Sequence, residues 1–554
     1  MKRLTYILCS LFLAVQLFAQ SQYASKKDLK EYDTAVLLMN EGKYKEALPK
    51  FQALVRSNKE FVDASWSLAE LYGKMGNPAK KLSTLEAIAK PKMPRYYNTL
   101  NRLGKAYHEE CMYEKAIATY SLVPSKEQTY YKMAQAAIKQ CQDGIELASA
   151  PVPFVFKNMG PNINTEYDDY WPSITADESY FSTTVKVGRL EGESDFGKGV
   201  HEDIFISKQL PQGGYSKIQN IGSAMNTMSN EGAQCFSLDG RYMFFIACGR
   251  SDGIGACDIY YSIREGNKWG KAINPGAPLN SRHWETYPSL SPTGEYLYFA
   301  SNRPGGLGKS DIWRCKVTIK DNGLLEFSAP ENLGKPINTA EDELSPFIHA
   351  DDHTLFFSSK GMKGLGKYDI FVSYRDDEGK WSEPKNLGYP LNSCRDEIGF
   401  VMNAKGDKAY YSSDGQEDNK KGREIYEINL TKTDVKPMKS MKYTRGKIVE
   451  EETGKPIQTK IEVYSIKNRQ KVFTSVSDKS TGEFVSCMPE DEEVGVNVNK
   501  RGYMLISEHF DKGKDAKFEK GTTLEKIEVG KKITLKNIFF DFDKATLKQV
   551  SYIE

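Results

Sequence analysis

The chain has 554 residues, with 76 basic and 74 acidic side chains and a formal net charge of +2. That length exceeds what one hydrophobic core serves, so several domains are expected. The balanced charge offers no basic face for a nucleic acid, and the 26 Phe and 32 Tyr, many in short alternating runs, point to a large β portion.

At the start, Lys2 and Arg3 precede an apolar run from Leu4 to Phe18, and Ala19 stands just before a cleavage point. This pattern reads as a secretory signal peptide over residues 1–20. The run is short for a membrane-spanning helix and no basic stop-transfer cluster follows it. Cys9 lies inside the apolar core behind Tyr6, Ile7 and Leu8, a poor context for lipid attachment. Export places the remaining cysteines in an oxidising setting. None has the paired spacing of a zinc site. Cys248 and Cys257 flank the turn "GRSDGIGA" and could face each other across a hairpin, as a disulfide or as two buried thiols.

From Asp28 to about Leu147 the pattern is helical. Small residues recur at Ala35, Ala69 and Gly104, spaced by 34 and 35 residues, with Leu38, Tyr72 and Tyr107 three positions on and Phe51, Leu85 and Tyr120 sixteen positions on. "NEGKYKEALPKF" and "EECMYEKAIATY" are two copies of one turn and helix. The period resembles the tetratricopeptide (TPR) repeat, which implies helical repeats over residues 21–149 that present a concave surface to a partner protein.

After "ASAPVPF" a second repeat begins. "NMGPNINT" at Asn158, "NIGSAMNT" at Asn220, "NPGAPLNS" at Asn274, "NLGKPINT" at Asn332 and "NLGYPLNS" at Asn386 are five copies of one phrase. Eleven residues after each Asn stands a carboxylate: Asp169, Glu231, Glu285, Glu343 and Glu397. Each unit then carries an acid, Ile and an aromatic, beginning at Asp203, Asp258, Asp311, Asp369 and Glu424. Units of about 55 residues built from short strands and Gly-rich turns are the pattern of a β-propeller. Five blades are expected over residues 150–433, with "FVFKNMG" completing the last. The ten carboxylates keep fixed places in their repeats, which favours structural hydrogen bonds over catalysis, since glycosidase acids differ in role from blade to blade. The motifs "YPSLSPTGEYLYFASNRPGGLGKSDIW" and "LSPFIHADDHTLFFSSKGMKGLGKYDIF" resemble the PD-type repeat of TolB-like propellers. Aromatics such as Trp171 and Trp284 offer a glycan contact near the channel mouth. GxSxG and HExxH are absent, and His349 and His353 need not converge in their strand–turn context, so neither catalytic residues nor a metal or other cofactor is expected.

Residues 440–512 alternate in short strands with turns at Thr453-Gly454 and Thr481-Gly482, a β-sandwich pattern. Gly446, Thr453-Gly454-Lys455-Pro456-Ile457 and Gly502-Tyr503 resemble the carboxypeptidase regulatory-like domain. Over residues 531–554, "ITLKNIFFDFDKATLKQVS" resembles the opening strand and helix of OmpA-like domains, which implies an incomplete domain and, in the full family, peptidoglycan binding.

Taken in order, these segments resemble the OmpA-family multidomain envelope proteins of Bacteroidota, including PorE-like components of type IX secretion. The resemblance implies a multidomain fold: a TPR array, a five-bladed propeller, a small sandwich and a truncated OmpA-like start. It also implies a non-enzymatic periplasmic scaffold, peripheral to the outer membrane, with other envelope proteins and peptidoglycan as partners. The alternative is a propeller-based glycan-binding protein or glycosidase.

Overall fold

The computed structural model describes residues 24–187, 201–320, 323–414, 422–513 and 522–528. The signal peptide expected at 1–20 and the OmpA-like start expected at 531–554 lie outside them. The chain divides into two units, residues 1–149 and 150–554.

Among its described residues the first unit holds seven helices: α1 (Lys26–Asn40), α2 (Tyr44–Ser57), α3 (Val62–Lys74), α4 (Pro78–Ile88), α5 (Tyr96–Glu109), α6 (Tyr113–Tyr120) and α7 (Gln128–Ala148). Ser25 starts α1 with a reciprocal cap: its Oγ accepts from the Asp28 N–H at 3.1 Å, and Asp28 Oδ2 accepts from Ser25 N–H at 3.3 Å. Asn77 caps α4, and Pro78 fills the first helical position, where an N–H has no helical partner. Consecutive helices meet through small residues facing aromatics. A Cβ on Gly104 would stand 2.6 Å from the Tyr120 ring, and one on Gly144 would stand 2.8 Å from Tyr113.

This packing corrects the fold class expected from the sequence. The described chain is mostly β-sheet, with 28 strands against seven helices of 8 to 21 residues. The 34- and 35-residue spacing follows from close helix crossings, which any small-residue helix pair requires, and designates no tetratricopeptide array.

The second unit begins with five blades. Their inner strands are Asp169–Ile174, Asn230–Phe236, Glu285–Leu290, Glu343–Ile348 and Ile398–Met402. Each inner strand neighbours the next, and the fifth returns to the first, so the ring closes. Val155–Asn158 forms the outer strand of blade 5, pairing antiparallel with Glu424–Asn429 from Val155↔Asn429 to Asn158↔Tyr426. Closure by one strand from the start of the unit removes the unpaired edge that an open sheet would leave. Between blades, Phe181, Phe244, Tyr298, Phe299 and Tyr411 are fully buried. Each such ring contributes about 1.5–3 kcal/mol of transfer free energy.

The sandwich pairs a three-stranded sheet (Glu483–Pro489, Met441–Glu450, Thr522–Leu524) with a four-stranded one (Lys471–Val476, Lys460–Ser465, Val494–Asn499, Ile506–Phe510). Alternate residues Ile461, Val463, Val494, Val496 and Val498 fill its core. It is seated on the turns that leave the inner strands, with at least one contact to each blade. Arg445 Nη2 pairs with Asp177 Oδ2 at 2.8 Å, and Val476 N–H donates to Asp239 Oδ2 at 3.2 Å. Thr474 N–H donates to the Pro292 carbonyl at 3.2 Å, Lys439 N–H to Asp351 Oδ2 at 3.1 Å, and Met441 N–H to the Ala404 carbonyl at 3.0 Å. Ala176, Ala350 and Ala404 of the propeller join the sandwich core. Five attachments around the axis lay the sandwich across that end of the propeller channel; the other end, where the inner strands begin, forms the mouth.

Candidate functional site at the propeller mouth

The five repeated carboxylates head the inner strands and are at most 1 % exposed. Each accepts from a Thr or Ser four residues earlier, through both backbone N–H and hydroxyl. Asp169 takes Thr165 at 2.6 and 3.0 Å, Glu231 takes Thr227 at 2.9 and 2.5 Å, and Glu285 takes Ser281 at 2.9 and 2.7 Å. Glu343 takes Thr339 at 2.8 and 2.6 Å, and Glu397 takes Ser393 at 3.1 and 2.6 Å. Glu285 also pairs with Arg303 Nη2 at 2.9 Å. Burial pushes the carboxyls of Glu231, Glu343 and Glu397 up, and that of Asp169 up to about 7.

The second set of acids holds the phrase itself. The first Asn of four phrases donates from Nδ2 to Glu424 (2.9 Å), Asp203 (2.7 Å), Asp258 (3.1 Å) and Asp311 (2.9 Å), while Asn386 donates to the Lys363 carbonyl at 3.2 Å. Asp258, Asp311 and Asp369 also accept backbone N–H bonds from their Gly-rich turns, at Gly255, Gly308 and Gly366. The second Asn, six residues on, clips the Ile of the Asp-Ile-aromatic motif through its N–H and carbonyl, as Asn280 does to Ile259 at 2.9 Å for both bonds. All ten acids are thus engaged inside the repeat.

The same scaffold positions two rings of residues that do not repeat. Immediately before each carboxylate stand Asp168, Asn230, Trp284, Asp342 and Asp396, and these meet Arg423, Glu202, Cys257, Ser310 and Tyr368 of the preceding blade. Two residues after each carboxylate the strand bulges. Trp171, Ala233, Tyr287, Ser345 and Gly399 take φ of 52°, 45°, 54°, 50° and 75° and line the channel. Trp171 meets Tyr287 edge-on across the axis at 5.2 Å, and a Cβ on Gly399 would stand 2.8 Å from the Trp171 ring, so the bulge of blade 5 must be glycine.

At the entrance, the Tyr170 hydroxyl donates to Glu202 Oε1 at 2.5 Å, and the Tyr368 hydroxyl faces Asp342 Oδ2 at 3.4 Å, with the Lys360 ammonium 3.8 Å above its ring. Burial, followed by the neighbouring carboxylates, raises both phenols. Trp284 is 51 % exposed and stands beside the Cys248–Cys257 disulfide, which closes the adjoining hairpin. Several buried atoms of the propeller have no hydrogen-bond partner; they include Asp169 Oδ1 and Asp203 Oδ1 of the repeat carboxylates, and Trp171 Nε1, Ser345 Oγ and Asp396 Oδ1 of the residues that vary. The two predicted aromatics therefore fall in this region, while Glu202, Asp342, Asp396, Tyr287 and Tyr368 carry no motif of their own. Their signal is variation at fixed offsets from an otherwise constant carboxylate.

The histidines at 349 and 353 do not converge. His349 is buried with Nε2 3.0 Å from the Asn403 carbonyl, and His353 Nδ1 lies 2.8 Å from the Arg375 carbonyl. In the sandwich, Glu493, His509 and Asp511 place donor atoms within 4.8 Å of one another; His509 Nε2 already contacts Asp511 Oδ1 at 3.3 Å.

No family model and no curated protein matches the chain. Among solved structures it is similar to an alpha-L-arabinofuranosidase from Lactobacillus brevis, at 14 % identity over 50 % of this chain and 93 % of that one, TM-score 0.31. It is similar to an arabinanase from Bacillus subtilis at 13 % identity over 49 % and 96 %, TM-score 0.33. A family 117 glycoside hydrolase from Zobellia galactanivorans gives 9 % identity over 50 % and 90 %, TM-score 0.34. At these values the likeness assigns neither an activity nor a residue role to this chain. The neighbours are nevertheless glycoside hydrolases and not OmpA-family envelope proteins, and several expectations are corrected on that finding. The OmpA-family and PorE-like resemblance, the type IX secretion role, the non-enzymatic scaffold function and the absence of enzyme activity do not stand. Their basis is repeat spacing and turn motifs, which record packing that unrelated chains share.

Proposed function

We propose that the propeller is carbohydrate-active and takes a glycan at its open mouth. The observation that carries this reading is the convergence, at the end of the channel that the sandwich does not roof, of aromatic faces and carboxylates that the repeat does not consume. Sugar C–H faces pack on rings such as Trp284, while hydroxyls donate to carboxylates and meet the unpartnered Trp171 Nε1 and Ser345 Oγ. Hydrolysis asks for two carboxyl groups, one to protonate the leaving oxygen and one to activate water or attack the sugar. Glu202, Asp342 and Asp396 are the mouth carboxylates available for those roles, and the unpartnered Asp396 Oδ1 makes it the first candidate. The Cys248–Cys257 disulfide supports an exported, oxidising setting for this chemistry.

The test is a panel of α- and β-linked pentose and hexose oligosaccharides, read by tryptophan fluorescence for binding and by reducing-end release for cleavage. We expect Trp284→Ala to weaken binding about tenfold, roughly 1.4 kcal/mol, and Asp396→Asn to stop release while binding persists. Binding without release in the unaltered protein would reduce the reading to a glycan-binding propeller. Failure of every glycan to bind at millimolar concentration would overturn it.

A further inference from the structure

At the opposite end of the propeller from the mouth, a cleft of about 570 Å³ opens between blades 1 and 2 and the sandwich. Two of its lining side chains are Arg241 and Arg264, which lie opposite each other one step beyond the Tyr242↔Ile263 pair, where Arg264 N–H donates to the Arg241 carbonyl at 2.8 Å. Like charges placed directly across a strand pair repel, and nothing about the blade fold requires them.

Neither guanidinium has a carboxylate within 4.0 Å among the described residues. Arg241 is only 7 % exposed; its Nη1 donates to the Ser477 carbonyl at 3.2 Å, its fork meets the neutral Gln458 amide, and its Nε has no partner. Arg264 lies over the Tyr180 ring at 4.7 Å, which positions it without neutralising it. Of the four acids that line the cleft, Glu483 is exposed to solvent on its sandwich strand and the other three are committed elsewhere. Asp177 pairs with Arg445 at 2.8 Å, and Asp239 accepts from the Arg241 and Val476 N–H groups at 3.0 and 3.2 Å. Asp478 accepts from the Gly266, Ser480 and Thr481 N–H groups at 2.6, 2.7 and 2.8 Å. A buried cation with no counter-charge is costly unless something supplies one.

We propose that this cleft is an oxyanion site, in which a phosphate or carboxylate group is held by the guanidinium fork of Arg264 beside the uncompensated positive charge of Arg241. The planar donors of arginine match the oxygens of such groups two at a time. Two sources share this chemistry: free phosphate or a phosphate ester, and the carboxylate of an acidic sugar. The site is independent of the glycan reading of the mouth, which lies at the other end of the propeller.

The experiment is isothermal titration calorimetry on the full chain at constant ionic strength, with inorganic phosphate, glucuronate and neutral glucose. One saturable site for phosphate or glucuronate is expected, with no heat from glucose, and the anion that saturates identifies the source. Arg264→Gln should weaken that binding at least tenfold. With no anion present its melting temperature should be unchanged or higher, because the repulsion with Arg241 is gone. If Arg264→Gln lowers the melting temperature, Arg264→Lys keeps the charge and loses the fork, and a tenfold loss there supports the site equally. Absence of saturable binding to both anions, or unchanged affinity in the folded Arg264 variants, would overturn the proposal and leave Arg241 a tether to Ser477.

Discussion

Asp169 shows how one carboxylate sets a pH dependence. It is fully buried at the head of blade 1, and desolvation outweighs its two bonds from Thr165, so its carboxyl titrates near 7. An unfolded Asp titrates at about 4. Between those values the folded state binds the extra proton, so its stabilisation is complete below the lower value and is lost as pH rises through the upper one. Asp478 shifts the other way: the hydroxyl of Ser480 and N–H bonds from Gly266, Thr481 and Ser480 overcome its burial and hold it at about 2. Its contribution is present above the unfolded value and falls away as pH drops toward 2. The melting temperature of the second unit should therefore decline from about pH 5 to 7.5, and Asp169→Asn should make that decline shallower, the other raised carboxyls (Glu231, Glu343, Glu397 and Asp369) supplying the rest. A wild-type melting temperature that holds level over this range would refute the assignment. The residue scale is also where the sequence says least: Asp342 and Asp396 matter because they break the repeat, and a repeat search discards what does not recur.

Among the elements, the hairpin of blade 2 is the one whose chemistry bears on the mouth. Cys248 and Cys257 are directly paired in register and bonded, and the loop between them adjoins Trp284. Closing a loop of this length restricts the unfolded chain by about 2–3 kcal/mol. Cys248→Ala with Cys257→Ala should cost that much in denaturant unfolding, and should weaken glycan binding if the loop steadies Trp284. An unchanged midpoint would mean that the hairpin is held by its strands alone. The pairing is readable because the two cysteines flank a Gly-rich turn symmetrically. The blade repeat is readable for a similar reason, since each phrase is a local clip whose two Asn side chains lie six residues apart and bond each other, as Asn274 and Asn280 do at 2.8 Å. The helical segment invites over-reading. Gly104 against Tyr120 is a need of close packing, as Gly144 against Tyr113 is outside the repeat, and the spacing that Gly104 shares with Ala35 and Ala69 is not a family signature.

On the scale of the whole molecule, the seating of the sandwich is not legible in the sequence. Arg445 meets Asp177 across 268 positions of sequence, Val476 meets Asp239 across 237, and neither partner carries a motif that names the other. Yet this seating decides how the channel is used. With one end roofed by the sandwich, a polymer cannot thread the propeller, and whatever enters must leave the way it came. On the proposed function, a sugar that enters this blind passage does so as a free terminus or a short side branch, so small units should be trimmed from chain ends in preference to cuts in the interior. Oligosaccharides blocked at the non-reducing and reducing ends in turn, followed by mass spectrometry of the products, distinguish the two: random mid-chain fragments would count against the roof. The five attachments under the blades, far from any reacting bond, would then set the directionality of the reaction.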